Sequence, residues 1–373
     1  MSTSRDEQHH DTSYVYASPC PHGAVGEHRS LLRTPRTPQS VPLYSRHSNY
    51  STPPQRQTYR PARAPQQNSY VIPSQTSSIY QRRAESNKEN VAPQKPRKPK
   101  IEHYKEAFRK KGIEIFIDFK LGNGKYSRVY KAHEIHTNRT VAIKAIDLNE
   151  LSDDVRKKFL PREISCWRKL KHGNIVAMHA QYETSSMLFL AMEYGNQGDL
   201  LRYVQKNGAI EEKTAGVFMR QLIKALCYMH QNGIAHRDVK LENIILFNNC
   251  IKLSDFGFVR LMDGNQLSET FCGSKSYSAP ELLRGKAYDP FLSDVWSAGV
   301  VGFVMVTDSM PFNESLPNNV MVEYQKFRRY TFSPKLNLSR ECIESIEAMM
   351  TYDVSLRPTS SRCLELPWVA GRV

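Results

Sequence analysis

The residues best suited to chemistry lie in one stretch, 236–257. It reads His236-Arg237-Asp238-Val239-Lys240-Leu241-Glu242-Asn243 and, twelve residues on, Asp255-Phe256-Gly257. Two carboxylates, an amide and a lysine in this order suit a divalent cation and a phosphate. Hard oxygens hold such a cation, a lysine offsets phosphoryl charge, and one carboxylate remains to take a proton. Any one of these residues alone reads as a surface charge. The ordered set within 22 positions does not.

The intervening chain shows how the groups are positioned. Ile244-Ile245-Leu246-Phe247, a polar turn Asn248-Asn249, and Ile251-Lys252-Leu253 form two apolar runs around a turn, which predicts a β-hairpin. A hairpin brings its flanks together, so Asp238 and Asn243 come near Asp255.

Upstream, 115–121 alternates as a strand and meets Leu121-Gly122-Asn123-Gly124-Lys125-Tyr126-Ser127-Arg128-Val129. Glycines let backbone N–H groups approach phosphate oxygens. Val141-Ala142-Ile143-Lys144 ends an apolar strand on a lysine, an odd core choice unless it has a partner. A helix is predicted over 153–170, with Pro161 in its early part and Phe159, Ile164, Trp167 and Leu170 at near-helical spacing. Glu163 lies beside Ile164, where a charge can reach a cleft. A second helix over 214–231 carries an apolar face of Val217, Phe218, Leu222, Ala225, Leu226 and Met229. A nearly all-apolar helix over 294–306 reads as buried on every side.

Composition divides the chain. Residues 1–110 hold 13 of the 21 prolines and only 12 Leu, Ile, Val and Phe, too little apolar surface to offset chain entropy, so a disordered extension is predicted. They carry 18 Lys+Arg against 8 Asp+Glu, while the remainder carries 34 against 29, so most of the +15 net charge belongs to the tail. Short tail signals include Thr34-Pro35, Thr37-Pro38 and Thr52-Pro53 for proline-directed kinases and Lys88-Glu89-Asn90 for degradation. Lys95-Pro96-Arg97-Lys98-Pro99-Lys100 suits a nuclear address or a contact with an acidic surface. Nucleic-acid binding is not expected: the tail's aromatics are tyrosines apart from Phe108, with no recognised module.

Mean hydropathy is −0.55, and the longest apolar stretch, 295–306, falls short of the roughly 20 residues of a spanning helix, so no membrane association is expected. No apolar h-region opens the chain, which predicts no signal peptide. Five residues follow Trp368, which predicts no regulatory segment after it. Seven scattered cysteines without paired spacing predict reduced thiols rather than disulfides or zinc. A cytoplasmic protein is expected, with nuclear entry through residues 95–100.

Together, H-R-D-x-K-x-x-N, D-F-G, the glycine-rich turn and V-A-I-K resemble the protein kinases over about residues 114–370. Ser127 stands where the family has a third glycine. The resemblance implies an α+β, bilobal fold: a β-rich N-lobe over about 114–194, a mainly helical C-lobe over about 195–370, and the 1–110 extension in front. It implies ATP with Mg²⁺, Mn²⁺ being a possible substitute. Leu121 to Val129, Ala142, Met192, Asp199 and Ile245 then surround the nucleotide, with backbone groups of Glu193 and Gly195 on the adenine edge. Lys144 holds phosphates and pairs with Glu163. Asp238 is the catalytic base, Lys240 steadies the γ-phosphate, and Asn243 and Asp255 hold the metal. His236 and Phe256 are packing residues.

Lys240 and Ser274 resemble the Ser/Thr branch, so protein Ser/Thr hydroxyls are the expected acceptors. Thr270-Phe271-Cys272-Gly273-Ser274 resembles the T-x-C-G-[ST] pattern ahead of Ala279-Pro280-Glu281. That match makes Thr270, ahead of Ser268, the phosphosite for this chain or an upstream kinase, with Arg237 receiving the phosphate. Glu281 should pair with Arg357, and Asp294 should brace the catalytic loop. Residues 158–164, 270–281, 288–290 and 294–312 resemble the testis-specific serine/threonine kinases, near the calcium/calmodulin-dependent group, which implies a role in spermatogenesis. Asp199 and Glu242 flank the expected peptide groove and predict basic residues upstream of the acceptor. The competing readings are a pseudokinase scaffold and a tail-driven binding protein. Intact Lys144, Asp238, Asn243 and Asp255 favour the enzyme.

Overall fold

A computed structural model of the chain describes residues 101–372 apart from 125, 249, 258, 262–266 and 269–272, and only the backbone at 117, 260 and 261. Strands β1 (Ile113–Asn123), β2 (Ser127–Glu134), β3 (Arg139–Asp147), β4 (Met178–Glu183) and β5 (Met187–Glu193) form one antiparallel sheet in the order β1-β2-β3-β5-β4. Side chains alternate across a strand with period two. Ile143, Ala145, Met187, Phe189 and Ala191 therefore belong to one apolar cluster, on the outer face. Ile146, Leu188 and Leu190 join the main core. Lys144, between Ile143 and Ala145, points away from the outer face and towards the cleft.

The outer face is covered by a segment expected to be disordered. A 3-10 turn, Ile101–Tyr104, leads into α1 (Lys105–Lys110). Ile101 and Phe108 are buried, Phe108 meets Tyr182 and Phe189 edge-on, and the Tyr104 hydroxyl bonds the Ser186 hydroxyl at 3.2 Å. The folded unit thus begins ten residues before the expected boundary, and the rest of the 1–110 extension lies outside the described residues. The cause is local: Ile101, Tyr104 and Phe108 stand at i, i+3 and i+7, one face of a helix. Phe108→Ala is expected to lower stability by about 3 kcal/mol, read as a reduced urea midpoint of the full chain. An unchanged midpoint would mean that the segment does not cap the sheet.

The inner face receives α2 (Leu160–Lys169), preceded by a π-turn over Val155–Phe159. Pro161 has no N–H to give Lys157, and the Leu160 N–H reaches back five residues to the Val155 carbonyl instead. Ile164, Trp167 and Leu170 are buried as their spacing suggests, but Phe159, in the π-turn, is 52% exposed.

The larger lobe holds α3 (Leu200–Asn207), α4 (Glu212–Gln231), α5 (Pro280–Leu283), α6 (Pro290–Thr307), α7 (Asn318–Lys326), α8 (Arg340–Met349), α9 (Ser360–Cys363) and α10 (Pro367–Ala370). Helix α6 is buried along residues 293–306, with Trp296 fully enclosed. On α4 the apolar face is core except at Val217, which is 49% exposed beside the buried Phe218. Short strands complete the lobe: β6 (Ile234–Ala235) with β9 (Arg260–Leu261), and β7 (Ile244–Phe247) with β8 (Cys250–Leu253). The β7–β8 pair is the expected hairpin, in register from Ile244↔Leu253 to Phe247↔Cys250. Among the described residues all five cysteines are free thiols.

Candidate active site

The catalytic loop connects β6 to β7 and is held by its backbone. Both oxygens of Asp294, 1% exposed on α6, accept from it: the His236 N–H at 2.8 Å and the Arg237 N–H at 2.7 Å. His230 Nε2 lies 3.1 Å from Asp294 Oδ2, and its Nδ1 lies 2.9 Å from the Ser360 hydroxyl. These bonds hold Arg237 at φ +66°, a left-handed conformation uncommon for a long side chain. His236 is fully buried: its Nδ1 accepts from the Asp238 N–H, and its Nε2 lies 3.0 Å from the Ser254 carbonyl. A carbonyl needs a donor, so Nε2 is the donating nitrogen of the ring and Nδ1 the accepting one. His236 is a fixed spacer between the loop and the D-F-G stretch, and it meets Phe256 edge-on at 5.5 Å.

Asp238, 5% exposed, is the centre of the polar network. Its Oδ2 lies 2.8 Å from Lys240 Nζ and accepts from Asn243 Nδ2 at 3.0 Å. Lys240 Nζ also donates to the Ser274 hydroxyl at 2.9 Å, and that hydroxyl lies 3.5 Å from Asp238 Oδ1. Ser274 therefore touches both residues. Gly273, at φ +94°, lets the segment approach so closely: a Cβ there would stand 2.8 Å from the Arg237 carbonyl oxygen. The Ser254 N–H and hydroxyl both donate to the Asn243 carbonyl, at 2.8 and 2.9 Å, locking the two motifs together across the hairpin. Sequence reasoning missed this clasp, since a serine before D-F-G carries no distinctive signal.

Lys144 does not meet its expected partner. Its Nζ bonds Asp255 Oδ1 at 2.6 Å, and among the described residues no ion pair joins it to Glu163. The charge of Lys144, acting against partial burial, lowers the Asp255 carboxyl to about 2. Glu163 takes the opposite course. Burial raises its carboxyl to about 7, partly offset by Lys144, reinforced by Asp255 and offset again by Arg237. Trp167, four residues on from Glu163, stacks on Phe256 at 5.2 Å, so α2 rests against the D-F-G stretch while Lys144 pairs with Asp255. Glu163 is neutral below its folded pKa, while the unfolded chain already ionises near 4.5. Its contribution to stability is thus present in acid and lost as pH rises through about 7. Glu163→Gln, permanently neutral, is expected to gain in melting temperature over the wild type between pH 5 and pH 8. A constant difference across that range would contradict it.

The hinge end of the cleft is equally specific. The Glu193 N–H donates to the Ala177 carbonyl at 3.0 Å. Its carboxylate accepts from the Ala177 N–H at 2.9 Å and pairs with Lys252 Nζ at 2.6 Å. This side-chain buckle between β5 and the hairpin was not anticipated. At Gly195 a Cβ would lie 2.1 Å from Ile245 Cγ2, so only glycine fits over that floor. Met192 is half-buried against the main core, and Ala142 pairs with it across β3 and β5. Asp199 caps α3 through the Arg202 N–H at 2.9 Å and pairs with Arg202 Nε at 3.2 Å. Arg202 extends on to the Leu121 carbonyl, 3.4 Å away at the glycine-rich turn. Asp199 is therefore engaged by a protein arginine, where a ribose or a substrate arginine was expected.

Gly122, Asn123, Gly124, Ser127, Arg128 and Val129 are placed at the β1–β2 turn, and Tyr126 within it, whereas Lys125 and Thr270 lie outside the described residues. Arg237 Nη1 lies 3.4 Å from the Ser268 hydroxyl. Glu281 and Arg357 form the expected pair, bidentate at 2.7 and 3.1 Å. Among the described residues no cluster of three or more metal-ligating His, Cys, Asp or Glu exists. Asn243 and Asp255 nevertheless fit Mg²⁺, which takes one or two protein oxygens and completes its shell with phosphate and water. The Asn243 amide nitrogen is spent on Asp238, so its oxygen is the atom left to ligate.

Comparison with known proteins agrees with this geometry. The protein kinase domain family matches residues 117–369. Testis-specific serine/threonine-protein kinase 2 of Mus musculus is 39% identical over 270 residues, covering 70% of this chain and 74% of the mouse protein. Testis-specific serine/threonine-protein kinase 4 of Homo sapiens is 35% identical over 267 residues, covering 67% and 80%. NUAK family SNF1-like kinase 2 of Rattus norvegicus is 42% identical over 194 residues, covering 52% and 31%.

Proposed function

The chain belongs to the protein kinase family, in its testis-specific serine/threonine branch, and from that premise we propose that it transfers the γ-phosphate of ATP to protein serine and threonine with Asp238 as catalytic base. The observation that carries this reading is the network of Asp238, Lys240, Asn243 and Ser274. A carboxylate 5% exposed, with a lysine 2.8 Å from one oxygen and a hydroxyl 3.5 Å from the other, is placed to receive an acceptor hydroxyl and take its proton. Lys240 steadies charge on the transferred group. Asn243 and Asp255 would hold Mg²⁺, which supplies charge neutralisation on the phosphates when bound. Lys144 is the phosphate ligand, and it reaches that role by exchanging Asp255 for Glu163. Transfer of labelled γ-phosphate to a basic protein tests the reading, with Asp238→Asn as comparison. Equal incorporation by both would refute it.

Regulation belongs to the same proposal. Phosphate on Thr270, placed by this chain or by an upstream kinase, would meet Arg237 and order the segment around the base. A phosphosite map of the purified protein with and without ATP tests this, and ATP-dependent phosphate only at other sites would oppose it. A role in male germ cells follows from the relatives' names, and cytoplasmic localisation with nuclear entry through residues 95–100 completes the reading.

Basic residues upstream of the acceptor remain the expected preference, and one residue now carries it. Asp199 is already paired with Arg202, whereas Glu242 Oε2 is buried with no hydrogen-bond partner among the described residues. Burial raises the Glu242 carboxyl above its usual value, a penalty a substrate cation would relieve. On peptide arrays, Glu242→Gln is expected to weaken basic selection about tenfold. A profile with no basic preference in the wild type would remove the assignment.

A further inference from the structure

Outside the site described above, the larger lobe carries a groove of about 680 Å³ between the end of α5 and the start of α7. Its floor is apolar: Leu283 and Val322 line it, each 6% exposed and continuous with the main core. Arg284 and Lys286 stand on the α5 side and Glu323 on the α7 side, all three exposed. The Asn318 amide spans the two walls, donating to the Leu283 carbonyl at 3.4 Å. Among the described residues no ion pair engages Arg284, Lys286 or Glu323. The Arg284 guanidinium lies instead 4.8 Å from the Tyr352 ring centroid, a stacking that fixes its plane and leaves its edge N–H groups for a partner. The lining thus sets two cations against one carboxylate over an apolar floor.

We propose that this groove docks an acidic segment of the protein substrate, with one apolar side chain on the floor and carboxylates at Arg284 and Lys286. Charge complementarity selects the sign of the partner. One exposed ion pair is worth little, but two cations beside an apolar floor favour an acidic chain over a basic one. A groove of this volume takes a few side chains of a peptide. That the segment belongs to the substrate follows from how the walls are anchored. Helix α5 opens directly after Ser278-Ala279, and Gln325 of α7, 1% exposed, donates to the Ser278 carbonyl at 2.9 Å. The Ser278 hydroxyl donates to the Ser274 carbonyl at 3.1 Å, and the Ser274 hydroxyl meets Lys240. A chain seated in the groove therefore lies on the same frame as the acceptor side of the catalytic loop. The assignment to substrates rests on the kinase reading, whereas the preference for acidic peptides does not. Recognition then has two signs: basic residues near the acceptor at Glu242, and an acidic segment farther off.

Panning tests the docking without any catalysis. Random peptides displayed on phage are selected on the full chain, with the double variant Arg284→Glu/Lys286→Glu as counter-target. The expected enrichment is Asp and Glu beside one Leu, Ile, Val or Phe. A selected peptide, labelled and titrated by fluorescence polarisation, should bind Lys286→Glu about threefold and the double variant about tenfold more weakly. It should bind Glu323→Gln about twofold more tightly, because the one opposing charge is gone. High salt should remove most of these differences. Lys286 and Glu323 are exposed, and an unchanged melting temperature of their variants separates lost docking from lost folding. Peptides that bind the wild type and both charge-reversed chains alike, or an enrichment of basic sequences, would overturn the proposal. So would a dimer of the chain that the double variant dissolves, since the groove would then hold a second copy. Joined to a basic acceptor peptide through linkers of graded length, the selected sequence should lower KM about threefold at unchanged kcat. Lys286→Glu should abolish that gain. Binding with no gain at any linker length would overturn the assignment to substrates. If the peptide binds and neither form is phosphorylated, the acidic groove stands and the kinase reading fails.

Discussion

Asp238→Asn is expected to lower kcat by about a thousandfold while leaving ATP affinity nearly unchanged. The substitution keeps the shape of the side chain and removes its charge and its basicity. Lys240 Nζ, 2.8 Å from Oδ2, would lose its counter-charge, and the donated Asn243 bond at 3.0 Å would face an amide. The nucleotide side changes little, because among the described residues neither Lys144 nor Asp255 is bonded to Asp238, and Asn243 keeps its bond to the Asp238 carbonyl. Single-turnover transfer of labelled phosphate measures the chemical step, and thermal protection by ATP measures binding. A loss in both together would indicate a damaged loop rather than a missing base. Asp294→Ala provides the contrast. It releases the His236 and Arg237 N–H groups and should reduce both readouts through loop disorder.

Breaking the Glu281–Arg357 pair is expected to have the largest effect on stability. The Arg357 side chain is fully buried and Glu281 is 11% exposed at its side chain. The guanidinium also donates to the carbonyls of Thr351 at 2.9 Å and Leu292 at 3.0 Å, and it lies 5.1 Å from the Trp296 ring centroid. Glu281→Ala leaves that cation buried without its counter-charge, which costs about 3–5 kcal/mol. At roughly 2–4 °C per kcal/mol for a domain of this size, the melting temperature should fall by about 10 °C. Arg357→Lys should be nearly as harmful, since an ammonium cannot form the two-pronged contact and the two carbonyl bonds together. Replacing both partners by apolar residues should recover much of the loss, because the desolvation penalty disappears with the charges. Calorimetry on the three variants measures this. A double variant no better than Glu281→Ala would show that the carbonyl bonds dominate.

The parts of the site legible in the sequence are those set by covalent spacing. The hairpin, paired in full register, ties Asn243 to the residue before Asp255, whereas Ser274 is legible only through the resemblance of residues 270–274 to a kinase pattern. The partner of Lys144 was not legible, because Glu163 and Asp255 are both within reach of one lysine and the choice depends on where α2 rests. The capping role of Asp199 was hidden for another reason. It reads as an acid beside a cleft until Arg202, three residues on, is seen to face it across the first turn of α3. The start of the folded unit was misplaced because composition averaged over a proline-rich tail concealed three apolar residues at helical spacing.

The stacking of Trp167 on Phe256 has an optical consequence. Of the chain's three tryptophans, Trp296 and Trp368 are sealed in the larger lobe, while Trp167 rides on α2 with its ring 5.2 Å from that of Phe256 and its indole N–H bonded to the Val176 carbonyl at 2.7 Å. Any swing of α2 that carries Glu163 to Lys144 must slide this one indole across its neighbour. Emission wavelength and quenching of this chromophore would report such a swing, while Trp296 and Trp368 sit buried in the larger lobe. The protein carries a built-in fluorescent gauge, and Trp296→Phe with Trp368→Phe would leave that gauge as the only signal.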